Sequence, residues 1–191
     1  MPELILAVNP GTTITQIGIF ENQVEVDRFN ITYDEHDFAG MDCVFDQLDR
    51  RVRDLHEALA ARHLSDRFDA VIGRGGMVGP VQAGAYFVDD DLVSVLENHP
   101  VLEHVSSLGG PIACSIAAEF GVPGCPAFIY DPVTVDSMAP AARITGVKGL
   151  ERRSIAHHLN MRAVAIRHAQ AMDRCYDELG LVVVHLGGGA S

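Results

Sequence analysis

Three runs near the start of the chain, Leu4–Val8, Thr15–Phe20 and Gln23–Thr32, are apolar or alternating, and only short turns separate them. Asn9-Pro10-Gly11 stops the first, a threonine-rich turn opens the second, and Glu21-Asn22 leads into the third. Connections this short join strands that run antiparallel, so the chain is committed to a β-meander before any helix begins. The period then changes. Cys43–His63 places Val44, Phe45, Leu48, Val52, Leu55 and Leu59 at the three-and-four spacing of a helix with one buried face. Asp69–Gly73 reads as a brief strand and Asp89–Asn98 as a helix whose acidic start suits its dipole. Ser107–Phe120 is a helix rich in small residues, stopped by Gly121-Val122-Pro123, and Ala127–Tyr130 is a strand ending at Asp131-Pro132. Asp136–Gly149 lacks a period and reads as loop. Ser154–Leu179 is the longest expected helix, with Ile155, Leu159, Ala163, Ile166, Ala169 and Met172 or Ala171 on its buried side. Gly180 ends it, and Leu181–Val184 reads as a buried strand. A meander followed by alternating strands and helices predicts an α/β domain on a mixed sheet flanked by helices.

The chain is 48% hydrophobic, enough for a proper core, and its formal net charge of −12 argues against nucleic acid or an anionic membrane surface as partner. A small anion stays admissible, because a few arginines or backbone amides suffice to hold one. The four cysteines form no C-x-x-C pair and read as core or half-buried thiols in a reducing compartment. The histidines show no zinc-ligand spacing. The N-terminus lacks the basic segment and length of a signal peptide, and no apolar run approaches the ~20 residues of a membrane span. A cytoplasmic protein is expected.

Four polar loops, three of them marked by glycine, sit at strand ends: 9–16, 73–80, 131–136 and 185–191. Loops at strand ends are where α/β proteins bind ligands. In the first, Asn9 and Gly11 with the hydroxyls of Thr12 and Thr13 could hold a phosphate; an ordinary solvated hairpin turn uses the same residue types. It is not a Walker loop, since no G-x-x-x-x-G-K-[ST] pattern is present and a strand follows. Arg74 stands among glycines that would leave it uncovered, a forked permanent cation for a carboxylate or phosphate, or simply a surface arginine on a turn. Asp131 ends an apolar strand, where a rigid carboxylate can serve a metal or a hydrogen bond; Asp-Pro is also a common turn initiator. His157 falls in the first turn of the longest helix, as an anion donor or a capping histidine. Gly187, Gly188 and Gly189 follow the last strand, after His185, and three glycines let backbone amides approach a ligand.

Read together, these segments resemble a known family. Asn9-Pro10-Gly11-Thr12-Thr13, Gly73-Arg74-Gly75-Gly76, His104-Val105-Ser106-Ser107-Leu108-Gly109 and Asp131-Pro132-Val133-Thr134-Val135-Asp136 are similar to motifs of the butyrate kinases, in the acetate kinase (acetokinase) family. So are Ala142-Arg143-Ile144-Thr145-Gly146, the stretch Arg153–Asn160 and the closing His185–Ser191, all in the same order. The resemblance implies an actin-like, sugar-kinase-like (ribonuclease H-like) fold of two α/β domains. It implies residues 1–191 as an N-terminal acyl-kinase domain, with 181–191 the first strand and loop of a C-terminal nucleotide-binding half. It implies transfer of a phosphoryl group from ATP, with Mg2+, to a short-chain carboxylate, giving an acyl phosphate. Asn9, Gly11, Thr12 and Thr13 would form the first phosphate loop, and His185, Gly187, Gly188 and Gly189 the second. Arg74 would bind the carboxylate or the phosphoryl group, Asp131 would act near the magnesium, and His104 and His157 would steady phosphoryl oxygens. Relatives are usually homo-oligomers.

Two positions depart from the resemblance. The family's first loop usually carries serine where this chain has Ile14 and lysine where it has Gln16. A hydroxyl donor and a cation are therefore missing. On this reading the 191-residue piece alone is expected to be inactive. The alternatives are a non-catalytic module that binds a carboxylate or acyl phosphate, and an acetate or propionate kinase.

Overall fold

The structure, a computed structural model, describes residues 3–34, 36–64 and 67–186. Six strands form one sheet in the order β3-β2-β1-β4-β6-β5. The expected meander is its first half: β1 (Leu4–Pro10), β2 (Ile14–Glu21) and β3 (Val24–Thr32) pair antiparallel in sequence order. β4 (Ala70–Arg74) joins β1 in parallel, and β6 (Ala127–Tyr130) joins β4 in parallel. A three-residue strand, β5 (Ala85–Phe87), closes the far edge antiparallel to β6. It was not foreseen, because three residues are too few to show an alternation.

Leu6 and Val8 of β1 and Ile17 and Ile19 of β2 point to one face of the sheet and are buried. Leu55 and Leu59 of α1 (Leu48–Ala60) and Leu108, Ile112, Ile116 and Phe120 in and before α3 (Gly109–Phe120) complete the same core cluster. Each fully buried Leu or Ile is worth roughly 1.5–3 kcal/mol before chain entropy is counted. The helix expected from Cys43 starts instead with a 3₁₀ turn, Val44–Gln47, and becomes α-helical at Leu48. Asp46 causes the tight start: its Oδ2 accepts the backbone N–H groups of Asp42 (2.9 Å) and Cys43 (3.0 Å). α2 (Asp90–Asn98) is capped as its acidic start suggested, with the Asp89 carboxylate accepting the Leu92 N–H at 2.8 Å.

The chain divides into two compact units, residues 1–79 with 84–130 and residues 80–83 with 131–191. The whole sheet lies in the first. In the second, Val81 and Val135 form a parallel bridge, the Ser154 hydroxyl donates to the Val135 carbonyl (2.6 Å), and α4 (His158–Ala171) follows.

Three expectations are corrected here. The longest helix is shorter than Ser154–Leu179, running only from His158 to Ala171. Asp173 takes a left-handed φ of 52°, and the amides of Asp173 and Arg174 fold back on the carbonyls of Gln170 and Ala169, which closes the helix. Its buried side is Ala165 and Ala169, while Ile155 and Met172 are about half exposed (46% and 50%). Leu181–Val184 is not a strand: among the described residues no neighbouring strand pairs with it, and Val182 is 93% exposed. Finally, Cys43, Cys114 and Cys175 are exposed and only Cys125 is half-buried. Cys114, for example, sits on the outer side of α3, opposite Ile112 and Ile116.

Candidate functional site

Sheet register creates the first cluster. Asn9 of β1 faces Gln16 of β2, and Val8 faces Gly73 of β4, so the next residue along, Arg74, comes beside Asn9. The row Gln16–Asn9–Arg74 therefore crosses three adjacent strands at the carboxyl ends of β1 and β4, the end of a parallel sheet where ligands bind. Its hydrogen bonds run in one sense. Arg74 Nη1 donates to Asn9 Oδ1 (3.2 Å), and Asn9 Nδ2 donates to Gln16 Oε1 (3.1 Å). Arginine can only donate, so the orientation of the Asn9 amide follows from the network. Arg74 is half-buried, and burial pushes its guanidinium down from the ordinary arginine value. Among the described residues it has no carboxylate within ion-pair distance. A desolvated cation held only by a neutral amide is a place for an anion.

The glycines around Arg74 have a different role from the one expected. Gly73, Gly75 and Gly76 are buried and do not leave the arginine uncovered. An added Cβ at Gly73 would overlap the carbonyl of Gly109, one at Gly109 would overlap the carbonyl of Arg74, and one at Gly76 would come 2.6 Å from Ser107 Cα. They let the start of α3 lie directly on the end of β4.

Beneath the first loop lies a residue that sequence reading missed. Arg51 of α1 is 1% exposed. Its Nη1 donates to Thr15 Oγ1 (2.8 Å), its Nη2 to the Thr12 carbonyl (3.3 Å), and Nε and Nη2 both to Gln47 Oε1 (3.1 and 2.9 Å). The guanidinium lies over the rings of Tyr33 and Phe38, 4.6 and 4.7 Å from their centroids. Burial pushes it down too, offset in part by Tyr33 and Asp54. A signal existed: position 51 belongs to the apolar stripe of Leu48, Val52, Leu55 and Leu59, where an arginine needs partners. Thr12 and Thr13 themselves are exposed on the turn, and the Gly11 amide donates to the Ile14 carbonyl (2.8 Å).

His104 caps the 3₁₀ turn Val105–Leu108. Its Nδ1 accepts the Ser106 N–H (3.1 Å) and lies 2.8 Å from Ser106 Oγ. With Nδ1 accepting, the neutral ring carries its proton on Nε2, which makes that atom a donor. His104 and Ser107 also line a cavity of about 420 Å³ together with Val44, Phe45, Leu96 and Pro100.

The second unit holds the other candidates. Asp131 is almost wholly buried, takes a left-handed φ of 39°, and receives Arg162 Nη1 on both oxygens (3.0 and 2.9 Å). A strained backbone persists only where its surroundings hold it, and here a buried ion pair does so. Magnesium commonly takes one or two carboxylates and fills its shell with water and phosphate oxygens. A rigid carboxylate such as Asp131 is the type of ligand that mode uses. No group of three His, Cys, Asp or Glu side chains among the described residues builds a metal cage. His157 is the N-cap of α4 rather than a residue of its first turn, because the helix starts at His158 and not at Ser154. It stacks on His185, with centroids 4.2 Å apart and planes 22° apart, and Asn160 Nδ2 donates to His185 Nδ1 at 3.1 Å. Gly187, Gly188 and Gly189 lie outside the described residues.

No protein-family model matches this chain. Solved structures do. Acetate kinase of Porphyromonas gingivalis superimposes with a TM-score of 0.65 at 14% identity, over 98% of this chain and 53% of that one. A propionate kinase of Francisella tularensis gives 0.61 at 13% over 98% and 53%. Acetate kinase of Entamoeba histolytica gives 0.59 at 13% over 89% and 46%. Identities this low show the fold alone, and the chain spans about half the length of the structures it matches. The fold is the actin-like mixed α/β fold of the acetate kinases, as the sequence motifs implied.

Proposed function

We propose that this chain serves ATP-dependent phosphorylation of a short-chain carboxylate to an acyl phosphate, with butyrate or a branched analogue preferred. The observation that carries the reading is Arg74, a half-buried guanidinium held by the Asn9 amide with no carboxylate partner among the described residues. A carboxylate substrate is already a nucleophile, so the protein needs to position it and neutralise charge more than to remove a proton. Arg74 binds the carboxylate or the phosphoryl group in transfer. Asn9, Gly11, Thr12 and Thr13 form the first phosphate loop, and His185 begins the second. His104, through Nε2, and His157 donate to phosphoryl oxygens. Asp131 is the residue that would hold magnesium; the ion would supply part of the charge neutralisation for the phosphoryl group that ATP donates. The preference for butyrate rests on the N-P-G, G-R-G-G and D-P-V-T-V-D strings; one methylene is worth only ~1–3 kcal/mol of discrimination.

Calorimetric titration with butyrate, butyryl phosphate and Mg-ADP, beside an acyl phosphate assay, tests this. Binding of butyrate or butyryl phosphate is expected, with at least a tenfold loss in Arg74→Ala. Equal affinity in that variant would remove the reading. A second reading, a module that binds the same anion without turnover, is favoured by Ile14 and by Gln16, whose side chain is taken up by Asn9. Acyl phosphate binding with no formation of product in any longer version of the protein would select it.

A further inference from the structure

We propose that Arg51 is the positioning residue of the first loop, holding the Thr12–Thr15 turn from beneath so that Asn9 stays aimed at Arg74. The inference rests on the kinase reading only in what it says of the anion; the clamp itself stands on geometry. Between Asn9 and Gln16 the loop has no cationic side chain. Positive charge reaches it from Arg74 at its side and Arg51 beneath. Arg51 is at a depth where a guanidinium is costly, and the helix stripe it occupies would accept leucine. Its fork is satisfied at two points, one in the turn and one at the start of β2: the Thr12 carbonyl and the Thr15 hydroxyl. Gln47, one helical turn earlier, fixes the other edge of the fork, and Tyr33 and Phe38 hold its faces. The Tyr33 amide donates to the Thr13 carbonyl (2.8 Å), so the same anchor also ties the end of β3 to the turn. Thr15 directly precedes Gln16, which sets the Asn9 amide. A displaced turn would therefore be felt at Asn9 and Arg74 through one cross-strand pair.

The test compares the wild-type chain with Arg51→Met, Arg51→Lys and Thr15→Val. Hydrogen exchange is read at the amides of Gly11 and Tyr33, and inorganic phosphate is the binding probe. Arg51→Met keeps the apolar stem and removes the fork. It is expected to speed exchange at Gly11 and Tyr33 at least tenfold, leave Val71 and Ile72 of β4 within twofold, and weaken phosphate at least tenfold. Lysine keeps the charge without the fork and should restore less than half of the lost affinity on a logarithmic scale. Thr15→Val, which removes one acceptor while keeping the shape, should give a smaller effect at the same two amides, and it decides the matter if Arg51→Met does not fold. Unchanged Gly11 and Tyr33 amides, or acceleration spread evenly over the sheet, would overturn the proposal by showing a packing role alone. Retained phosphate affinity in a variant with a loosened turn would overturn it as well. Failure of the wild-type chain to bind phosphate would count against the kinase reading, and the exchange pattern would still decide the clamp.

Discussion

At the scale of single residues, the character of the site depends on Arg74 having an amide rather than a carboxylate beside it. Asn9→Asp changes that with little change of shape. The new carboxylate would pair with Arg74 across the 3.2 Å contact, and Gln16 could turn its amide to donate instead of accept. Anion affinity should fall at least tenfold, about 1.4 kcal/mol, while thermal stability holds or rises. Titration with phosphate or butyryl phosphate measures the first and a melting curve the second; undiminished affinity would place the anion elsewhere. A second residue-scale expectation concerns acid. Arg143 Nη2 donates to both oxygens of Asp136 (2.9 and 2.8 Å), with help from the Met138 amide, and holds its carboxyl below the ordinary carboxylate value. A group depressed in the folded state contributes its stability fully above the unfolded value and loses it as pH falls through the folded one. The stability gap between wild type and Arg143→Ala should therefore be complete at neutral pH and close in acid, below the usual carboxylate range. Urea midpoints at both ends measure it, and a gap independent of pH would refute the assignment.

At the scale of elements, legibility followed the length of the pattern. β1, β2, β3, α1, α2 and β6 were readable because each shows a sustained period or a polar cap. β5 was too short. α4 was misjudged because polar and helix-tolerant residues continue past residue 171 without glycine or proline before Gly180, while the actual stop is an aspartate in a left-handed conformation. Glycine and asparagine are the usual signals there. Leu181–Val184 has the composition of a strand, but a strand is made by its partner, which composition does not show. The site divided along the same line. Asn9 and Arg74 were legible as loop residues, whereas their juxtaposition depends on a three-strand register, and Arg51 and Arg162 were hidden inside helical stripes. The helix stop yields its own prediction. Asp173 bears the steric cost of positive φ and sits where the helix dipole disfavours a negative charge. Asp173→Gly should stabilise the protein by about 0.5–1 kcal/mol in urea unfolding. A destabilising effect would mean that the aspartate makes a contact that offsets both costs.

At the scale of the whole molecule, apolar burial is unequally shared. The cluster built on Leu6, Ile17, Leu55, Val71, Ile112 and Phe120 lies wholly in the unit that carries the sheet. In the other unit the buried apolar side chains among the described residues are Pro132, Val135, Ala165 and Ala169, while Ile144, Val147, Leu150, Val182 and Val184 are mostly exposed. Alanine contributes little hydrophobic free energy, so α4 is held by less than α3 is. Local stability follows such differences, and segments with few buried apolar contacts open before the global transition. The Arg162–Asp131 pair opposes this, but a buried ion pair contributes little beyond its own desolvation cost. Native-state hydrogen exchange in low urea should therefore show the amides of α4 opening at a free energy at least ~2 kcal/mol below those of β4. Their denaturant dependence should be shallower, as expected when only part of the surface is exposed. Asp131→Asn tests the balance further: with the ion pair weakened, the α4 amides should exchange faster while those of β4 stay unchanged. If α4 and β4 instead share one opening free energy and one slope, the two units unfold as a single cooperative body, and the unequal burial has been outweighed by contacts that couple them.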